Sequence, residues 1–186
     1  MRKDAPGHAP GFTVVETLAT LALISILLAM AVPGFRGVIE RQRADSALHL
    51  VSTQLAQARN TAITRRSPVT VCPSRGGGTC LAGADWSAGW MLYLDPGRRN
   101  QPRSPDDVLR DVRHPIHGSV RIMATAGRLR VRYQPDGRSG GSNVTLRICS
   151  GGDLRGEVIV NNVGRARIRR PPAATTCPSL PGQEPR

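Results

Sequence analysis

A long apolar segment near the N-terminus dominates the pattern of hydrophobic and polar positions. Between Phe12 and Phe35 the only ionisable side chain is Glu16. At about 1.5 Å per helical residue, the segment is long enough to cross a hydrocarbon core of about 30 Å, so it predicts a membrane-spanning helix. A charge at the bilayer centre costs about 2.5–3.5 kcal/mol, which implies that Glu16 has a function there.

The pattern becomes amphipathic after Pro33 and Gly34. Apolar residues then recur at steps of three and four, which is typical of one helix face packed on a core. We therefore predict a single helix over residues 12–66, kinked near Pro33 and ended by Ser67 and Pro68, because the residue before a proline disfavours helical geometry. The predicted buried stripe is Ala44, Ala47, Leu48, Val51, Leu55, Ala58 and Ala62.

The remaining chain is punctuated like a β region. Short runs rich in β-branched and apolar residues alternate with clusters of Gly, Pro, Asp and Asn, which indicates antiparallel strands joined by turns. The predicted fold class is α+β, a long helix packed on a small antiparallel sheet domain. The predicted strands cover residues 69–72, 90–94, 108–112, 120–123, 129–133, 144–148 and 158–160.

The start of the apolar segment closely resembles the class III leader of type IV prepilins and pseudopilins. Gly11 stands before Phe12, and Glu16 is the fifth residue after Gly11. The resemblance implies that a prepilin peptidase cuts between Gly11 and Phe12 and N-methylates Phe12. It further implies that the helix stays in the inner membrane, with the bulk of the chain periplasmic, until the subunit enters a pilus or pseudopilus. Glu16 would then face a neighbouring subunit's terminal amine during assembly.

Two other interpretations of this segment compete. Ala29, Met30 and Ala31 resemble an ordinary signal-peptidase site, whose use would leave a soluble periplasmic protein. Against this, the apolar core would be longer than the roughly 7–15 residues of a signal peptide and would contain Glu16. A plain single-span anchor is the other alternative.

Internal segments resemble the GspH/FimT family of minor pilins and pseudopilins. They are Val71-Cys72-Pro73 with Cys80, and the run from Asp85 through Trp90 to Asp95. Gly164-Arg165-Ala166-Arg167 also matches the G-R-x-R motif of FimT-like minor pilins that bind DNA during natural transformation. The resemblance implies a pilin-like fold divided into a leader (1–11), a transmembrane half-helix (12–35), an amphipathic half-helix (36–66) and a globular β domain with a basic tail (67–186).

Four cysteines follow the apolar segment: Cys72, Cys80, Cys149 and Cys177. They lack the C-x-x-C spacing of zinc and thioredoxin-like sites, and an even number behind an export signal indicates disulfides in an oxidising compartment. Three pairings are possible. We favour Cys72 with Cys80 across a Gly-rich loop, and Cys149 with Cys177 at the tail. Such cross-links would support a core with few aromatic residues.

The chain is strongly basic, with 26 Lys and Arg residues against 13 acidic ones. Outside the cytoplasm such a charge favours nucleic acid, anionic lipid or acidic polysaccharide as partners. Residues 128–133 and 165–169 alternate Arg with apolar residues, so two adjacent strand-like segments would present one continuous cationic surface. Arginine pairs with phosphate oxygens and needs no base contacts, which predicts sequence-independent binding of double-stranded DNA. The predicted residues are Gly164, Arg165, Arg167, Arg169, Arg170, Arg128, Arg130 and Arg132.

No motif indicates catalysis, a cofactor or a metal. His114 and His117 stand three residues apart in a proline-flanked segment, which is more typical of a solvated turn than of a ligand pair. The leading functional hypothesis is a DNA-binding minor pilin whose other partners are major and minor pilins. The alternatives are a structural minor pilin for pilus assembly and a pseudopilin of a type II secretion system, neither of which would need DNA.

Overall fold

The computed structural model describes residues 12–125, 127–141 and 143–178 of the chain. Within this part, one long α-helix, α1 (Val14–Arg65), is followed by antiparallel strands and a short 3-10 helix, Pro105–Asp107. The α+β arrangement predicted from the sequence is therefore correct. The strands are β1 (Val69–Pro73), β2 (Gly89–Leu94), β3 (Val108–Arg113), β4 (Val120–Ala124), β5 (Val131–Tyr133), β6 (Val144–Ser150), β7 (Asp153–Val160) and β8 (Ala166–Arg169).

The chain divides into two compact units, Met1–Ile39 and Glu40–Arg186. In the first unit, α1 starts after Thr13, whose Oγ1 accepts a hydrogen bond from the Glu16 amide at 3.2 Å, as a helix N-cap does. The stretch Val14–Val32 is long and apolar enough to cross a membrane, with a mean hydropathy of 2.2 and no burial. The kink near Pro33 stays a prediction.

In the second unit, α1 buries the stripe that the sequence predicts. All seven residues are at most 2% exposed: Ala44, Ala47, Leu48, Val51, Leu55, Ala58 and Ala62. The helix ends in a Schellman motif, in which the Ser67 amide donates to the Ala62 carbonyl and the Arg66 amide donates to the Ile63 carbonyl. Arg66 has a φ of +49°, and Pro68 follows, so the predicted stop is confirmed.

The strands form two four-stranded antiparallel sheets. The first sheet has the order β3-β2-β1-β5, and the second has the order β4-β6-β7-β8. Strand β5 is shorter than predicted, since it begins at Val131 rather than at 129, whereas β7 begins at Asp153 rather than at 158. One edge of each sheet is a short strand, β5 in the first sheet and β8 in the second.

The core is built from the α1 stripe and the inward residues of both sheets. Trp86 and Trp90 are each 1% exposed within it, so both pack in the core. A smaller cluster on the other side of the first sheet contains Met91 and Tyr93 with two of the cysteines.

Both favoured disulfides are present. Cys72 is bonded to Cys80, and Cys149 is bonded to Cys177. The first closes the Gly-rich loop after β1, and the second ties the segment after β8 to strand β6. Together they support a small core by restricting the unfolded chain.

Glu40 connects α1 to the second sheet. Its carboxylate accepts hydrogen bonds from the hydroxyls of Ser150 and Ser119, the latter at 2.8 Å, and from Arg43 at 2.9 Å. The Ser150 and Ser119 hydroxyls, followed by the charge of Arg43, hold the pKa of Glu40 below its ordinary value. A carboxylate whose pKa is lower in the folded state stabilises the fold above its unfolded pKa, and this contribution is lost as pH falls through the folded pKa.

The Glu40→Gln variant is therefore expected to unfold more easily than the natural chain at about pH 7, and the difference should shrink at about pH 3. Denaturant unfolding of the full chain in a non-ionic detergent, followed by Trp fluorescence, measures this at both pH values. The matched control is Asp106→Asn, which neutralises an exposed acid in the same unit. A Glu40→Gln difference that does not change with pH would contradict the assignment.

Candidate functional site

The turn between β7 and β8 carries the G-R-x-R segment. The Asn161 carbonyl accepts from the Gly164 amide at 2.8 Å, and Asn161 Oδ1 accepts from the Arg165 amide at 2.9 Å. Gly164 has a φ of +82°, and a Cβ at this position would lie 2.0 Å from the Gly137 carbonyl oxygen. Glycine is therefore required here both by the backbone conformation and by the close approach of a second turn.

Strand β8 alternates between the core and the solvent. Ala166 and Ile168 pack against the core cluster, whereas Arg165, Arg167 and Arg169 are exposed. In the register with β7, Arg167 lies opposite Ile159 and Arg169 lies opposite Glu157. The arginines of this segment therefore point away from the core, on the side of the sheet that faces solvent.

Neighbouring strands add two more arginines to the same side. Arg147 of β6 lies opposite Glu157, and Arg121 of β4 alternates with core residues, so both point away from the core. We call this surface the outer face of the second sheet. It is defined by Arg121, Arg147, Arg165, Arg167 and Arg169.

Glu157 partly neutralises the outer face. It is 7% exposed and lies between two arginines, with 3.4 Å from its Oε1 to Arg147 Nε and 2.9 Å from its Oε2 to Arg169 Nε. Within the described chain, neither Arg165 nor Arg167 forms an ion pair with an acidic side chain. Arg121 forms no such ion pair among the described residues either. These three guanidinium groups of the outer face are therefore available to an external anion.

The predicted pairing of two adjacent cationic strands is wrong. Only Arg132 lies within β5, which belongs to the first sheet, whereas β8 belongs to the second. Arg128 and Arg130 precede the strand and are half-buried. The alternation at 128–133 therefore does not place three arginines on one strand face.

A buried carboxylate holds Arg132 against the side of the first sheet that faces away from the main core. Asp95 is 2% exposed, and its Oδ2 accepts from Arg132 Nε at 2.8 Å and from the Thr70 hydroxyl at 2.7 Å. Arg132 Nη2 also donates to the Arg99 carbonyl at 3.0 Å. Arg132 therefore fixes the first sheet to the loop after β2, which limits its use as a phosphate ligand.

The two cationic segments nevertheless meet through their turns. The Ser139 amide donates to the Asn162 carbonyl at 3.0 Å, and Gly164 lies against Gly137. Arg138, between these contacts, is exposed. The turn after β5 therefore adjoins the turn that carries Arg165, although the strands belong to different sheets.

Arg170 turns away from the outer face. Its Nη2 lies 2.9 Å from Asp45 Oδ1 on α1. The following segment returns along β7, where the Leu154 amide donates to the Thr175 carbonyl and the Cys177 amide donates to the Gly152 carbonyl. The tail is therefore held in place up to Pro178, and residues 179–186 lie outside the described part.

No group of three His, Cys, Asp or Glu side chains that could hold a metal occurs among the described residues. His117 Nδ1 lies 3.0 Å from the Ser119 hydroxyl, next to Glu40. His114 sits in a turn with a φ of +45°.

Comparison with protein families assigns the chain. A family model described as "Type II transport protein GspH" matches residues 47–164, which is more than half of the chain. The chain belongs to the GspH family. The comparison with curated proteins gives no match.

Two crystal structures of the type IV minor pilin FimU from Pseudomonas aeruginosa (strain PAO1) share the fold of this GspH-family chain. The P65 form has a TM-score of 0.53 and 16% identity, and covers 70% of this chain and 95% of FimU. The P21 form has a TM-score of 0.55 and 18% identity, and covers 73% and 94%. At this level of identity the likeness to FimU shows the fold, so the chain is a GspH-family protein with a pilin-like fold. This family and fold are those of structural, non-enzymatic proteins.

The apolar helix fits a membrane-anchored member of the GspH family. Phe12 and Glu16 are exposed at its start, and the Glu16 amide is engaged by the Thr13 cap. Gly11 and the rest of the leader lie outside the described residues. Cleavage at Gly11, methylation of Phe12 and an assembly role for Glu16 therefore stay predictions.

Sequence reasoning missed two residues of the outer face, Arg121 and Arg147, and also Glu157, which pairs with two of its arginines. The signal for the two arginines was present, because each alternates with apolar residues in a predicted strand, at 120–123 and 144–148. Glu157 precedes the predicted strand 158–160, so no pattern placed it between two arginines.

Proposed function

We propose that this chain is a minor pilin of a type IV pilus that binds double-stranded DNA through the outer face of the second sheet, for DNA uptake in natural transformation. The main support is that Arg167 in β8 and Arg165 directly before it are exposed and form no ion pair within the described chain. Guanidinium groups make paired, charge-assisted hydrogen bonds to phosphate oxygens, and released counterions drive the association.

The binding is proposed to be independent of sequence. Arg167 lies on the short edge strand β8 and Arg165 directly before it, and no helix of the described unit projects from this face to enter a groove. Contacts to phosphates position a protein on DNA but do not read bases. Two duplexes of equal length and scrambled sequence should therefore bind with equal affinity.

The proposed function also requires that the chain mature by cleavage of its leader. Cleavage by a prepilin peptidase between Gly11 and Phe12 would leave the helix of residues 12–66 as membrane anchor and, later, as the part that packs among other major and minor pilins. The globular part at 67–186 would then expose the outer face on the filament. A mature N-terminus at Phe12, found by mass spectrometry, would support this, whereas one at Val32 would overturn it.

The test of DNA binding is a titration of a labelled duplex with the full chain in a non-ionic detergent. The double variant Arg165→Gln/Arg167→Gln is expected to weaken binding about tenfold or more, because charge-assisted contacts are lost. It should also flatten the slope of log affinity against log salt by about 1.8, at ~0.9 for each lost phosphate contact. Fluorescence anisotropy between about 50 and 200 mM salt measures both.

The matched control is Arg103→Gln/Arg110→Gln, which removes the same charge from exposed residues in and near β3 of the first sheet. A long-range effect of net charge would change both double variants alike. Binding through the outer face requires a much larger effect for Arg165 and Arg167. Unchanged affinity and slope in the Arg165/Arg167 variant would reject the site.

The second candidate function is a pseudopilin of a type II secretion system, or a structural minor pilin, without DNA binding. The description of the matching family favours it. In that case the outer face would dock on acidic surfaces of other pilins. The Arg165→Gln/Arg167→Gln variant would then impair piliation or secretion, whereas the DNA-binding proposal predicts loss of transformation with normal piliation.

A further inference from the structure

A second cationic feature lies in the first-sheet half of the unit, beside the turn after β5. It is an open cleft of about 790 Å³. Three arginines line it against one acidic residue, Asp136, whose Oδ1 accepts from the Arg138 amide at 2.9 Å within its own turn. The lining residues that matter here are Arg98, Arg128, Arg132, Gln134, Gly140 and Gly141. We call this the Arg98 cleft.

The buried residue Asp95 positions two of the arginines that line the Arg98 cleft. Its Oδ2 fixes Arg132, while its Oδ1 accepts from the Arg99 amide at 2.5 Å. The Asp95 carbonyl accepts from the Arg98 amide at 3.1 Å, which closes the turn that carries Arg98. Two of the three lining cations are therefore positioned by one buried group before any ligand arrives, and preorganisation of this kind lowers the cost of binding.

One nitrogen of the Arg132 guanidinium, Nη1, has no partner among the described residues and could donate to a ligand in the cleft. Its Nε and Nη2 donate to Asp95, Thr70 and the Arg99 carbonyl. Its Nη1 makes no hydrogen bond to any residue in the described ranges, and the side chain is 26% exposed. One donor group of a fixed arginine is thus left without a partner among the described residues, in a side chain that is partly exposed.

Arg98 has an unusual backbone. Its φ is +51°, although Gly97 stands next to it and would adopt this conformation without strain. Strained backbone of this kind is concentrated at functional sites. As a result, the residue in this conformation at the rim of the cleft is an exposed arginine rather than a glycine.

Arg128 forms the opposite wall. Its Nη2 lies 3.4 Å from the Ser139 hydroxyl, and a Cβ added to Gly141 would be 3.5 Å from its Nη1. Burial, followed by the charge of Arg132, lowers the pKa of the Arg128 guanidinium. The charge of Arg132, which Asp95 offsets in part, therefore acts against that of Arg128, and a bound anion would reduce this repulsion.

We propose that the Arg98 cleft is a binding site for a phosphate group, either inorganic phosphate or the terminal phosphate of a nucleic-acid strand. Several guanidinium groups suit a tetrahedral dianion better than a single carboxylate, because each can form paired hydrogen bonds with phosphate oxygens. Gly140 and Gly141 add no side chain to the rim, so a ligand larger than free phosphate can reach the cleft. The site uses neither Arg165 nor Arg167, so it does not depend on the proposed DNA-binding face.

The test is calorimetric titration of the full chain in a non-ionic detergent with inorganic phosphate, at constant ionic strength against chloride. We expect saturable binding with one site. Arg98→Gln and Arg128→Gln should each raise the dissociation constant about tenfold, as expected for a lost charge-assisted contact. The matched control is Arg99→Gln, which removes the same charge from the neighbouring residue. Arg99 does not line the cleft, and it holds Asp95 and Arg132 through its backbone.

A second experiment identifies the source of the phosphate. Short duplexes with and without a 5′-phosphate are titrated against the natural chain and Arg98→Gln. Tighter binding of the phosphorylated duplex, lost in Arg98→Gln, supports a strand terminus as ligand, whereas equal binding of both duplexes together with saturable inorganic phosphate supports the free ion. No saturable phosphate binding, or equal loss in Arg98→Gln and Arg99→Gln, would overturn the proposal. Phosphate binding that persists in Arg165→Gln/Arg167→Gln separates this site from the outer face.

Discussion

Replacement of Asp95 by alanine is expected to lower the free energy of unfolding of the Glu40–Arg186 unit by about 3 kcal/mol. Asp95 is 2% exposed, and its carboxylate accepts hydrogen bonds from Arg132, the Thr70 hydroxyl and the Arg99 amide. Its loss leaves a buried hydroxyl and a fixed guanidinium without their partner. The value lies at the lower end of the range for broken buried pairs, because Arg132 is 26% exposed and can bind water.

A double-mutant cycle separates the ion pair from the rest of this network. We expect Asp95→Asn, Arg132→Gln and the combined variant to give a coupling energy of about 1.5–3 kcal/mol, the range for hydrogen bonds to charged groups. Denaturant unfolding of the full chain in detergent, read by the buried Trp86 and Trp90, measures it. Asp106→Asn, on an exposed acid, is the control and should have little effect. A coupling energy below about 0.5 kcal/mol would contradict the role of Asp95.

The helix and the buried stripe could be predicted because they depend on local patterns. The apolar stretch ends at a change of period, the stripe from Ala44 to Ala62 follows the 3.6-residue repeat, and Ser67 with Pro68 stops the helix. The disulfide pairing followed from loop context and the tail position. These features require no knowledge of which distant strands pair.

The position of residues 128–133 could not be predicted, because it depends on a distant partner. In the register of β5 with β1, Val131 lies opposite Val71, and two further pairs would bring Arg130 opposite Cys72 and then Leu129 opposite Pro73. Proline has no amide to donate to a ladder, so the pairing stops at Val131. The alternation of the sequence continues beyond this point, but the strand does not.

Only part of the candidate site could be predicted from the sequence, because the rest also depends on distant partners. Alternation placed Arg167 and Arg169 on one side of β8, since the side-chain period of a strand is two residues, and Arg165 directly before the strand is also exposed. The alternation gave no information on which arginines form an ion pair with a buried or half-buried acidic side chain. Asp95 forms an ion pair with Arg132, Glu157 with Arg169, and Asp45 with Arg170. Each pair joins residues of different elements, so local alternation cannot predict it.

The Gly164→Ala variant is expected to be the most damaging single change in the G-R-x-R segment. A φ of +82° costs a non-glycine residue about 1–2 kcal/mol. The added Cβ would also lie 2.0 Å from the Gly137 carbonyl oxygen, and forcing such a contact apart costs about 1–3 kcal/mol more. The free energy of unfolding should therefore fall by about 2–5 kcal/mol.

The control for Gly164→Ala is Gly77→Ala, which has a similar φ of +78° but open space where the Cβ would be. It should show only the backbone cost of about 1–2 kcal/mol. Because the clash separates the two turns, Gly164→Ala should also move Arg165 and weaken DNA binding under conditions where the chain stays folded. Denaturant unfolding and DNA titration of both variants measure the two effects. Equal destabilisation by Gly164→Ala and Gly77→Ala would mean that the turns separate without cost, and Gly164 would then serve the backbone conformation alone.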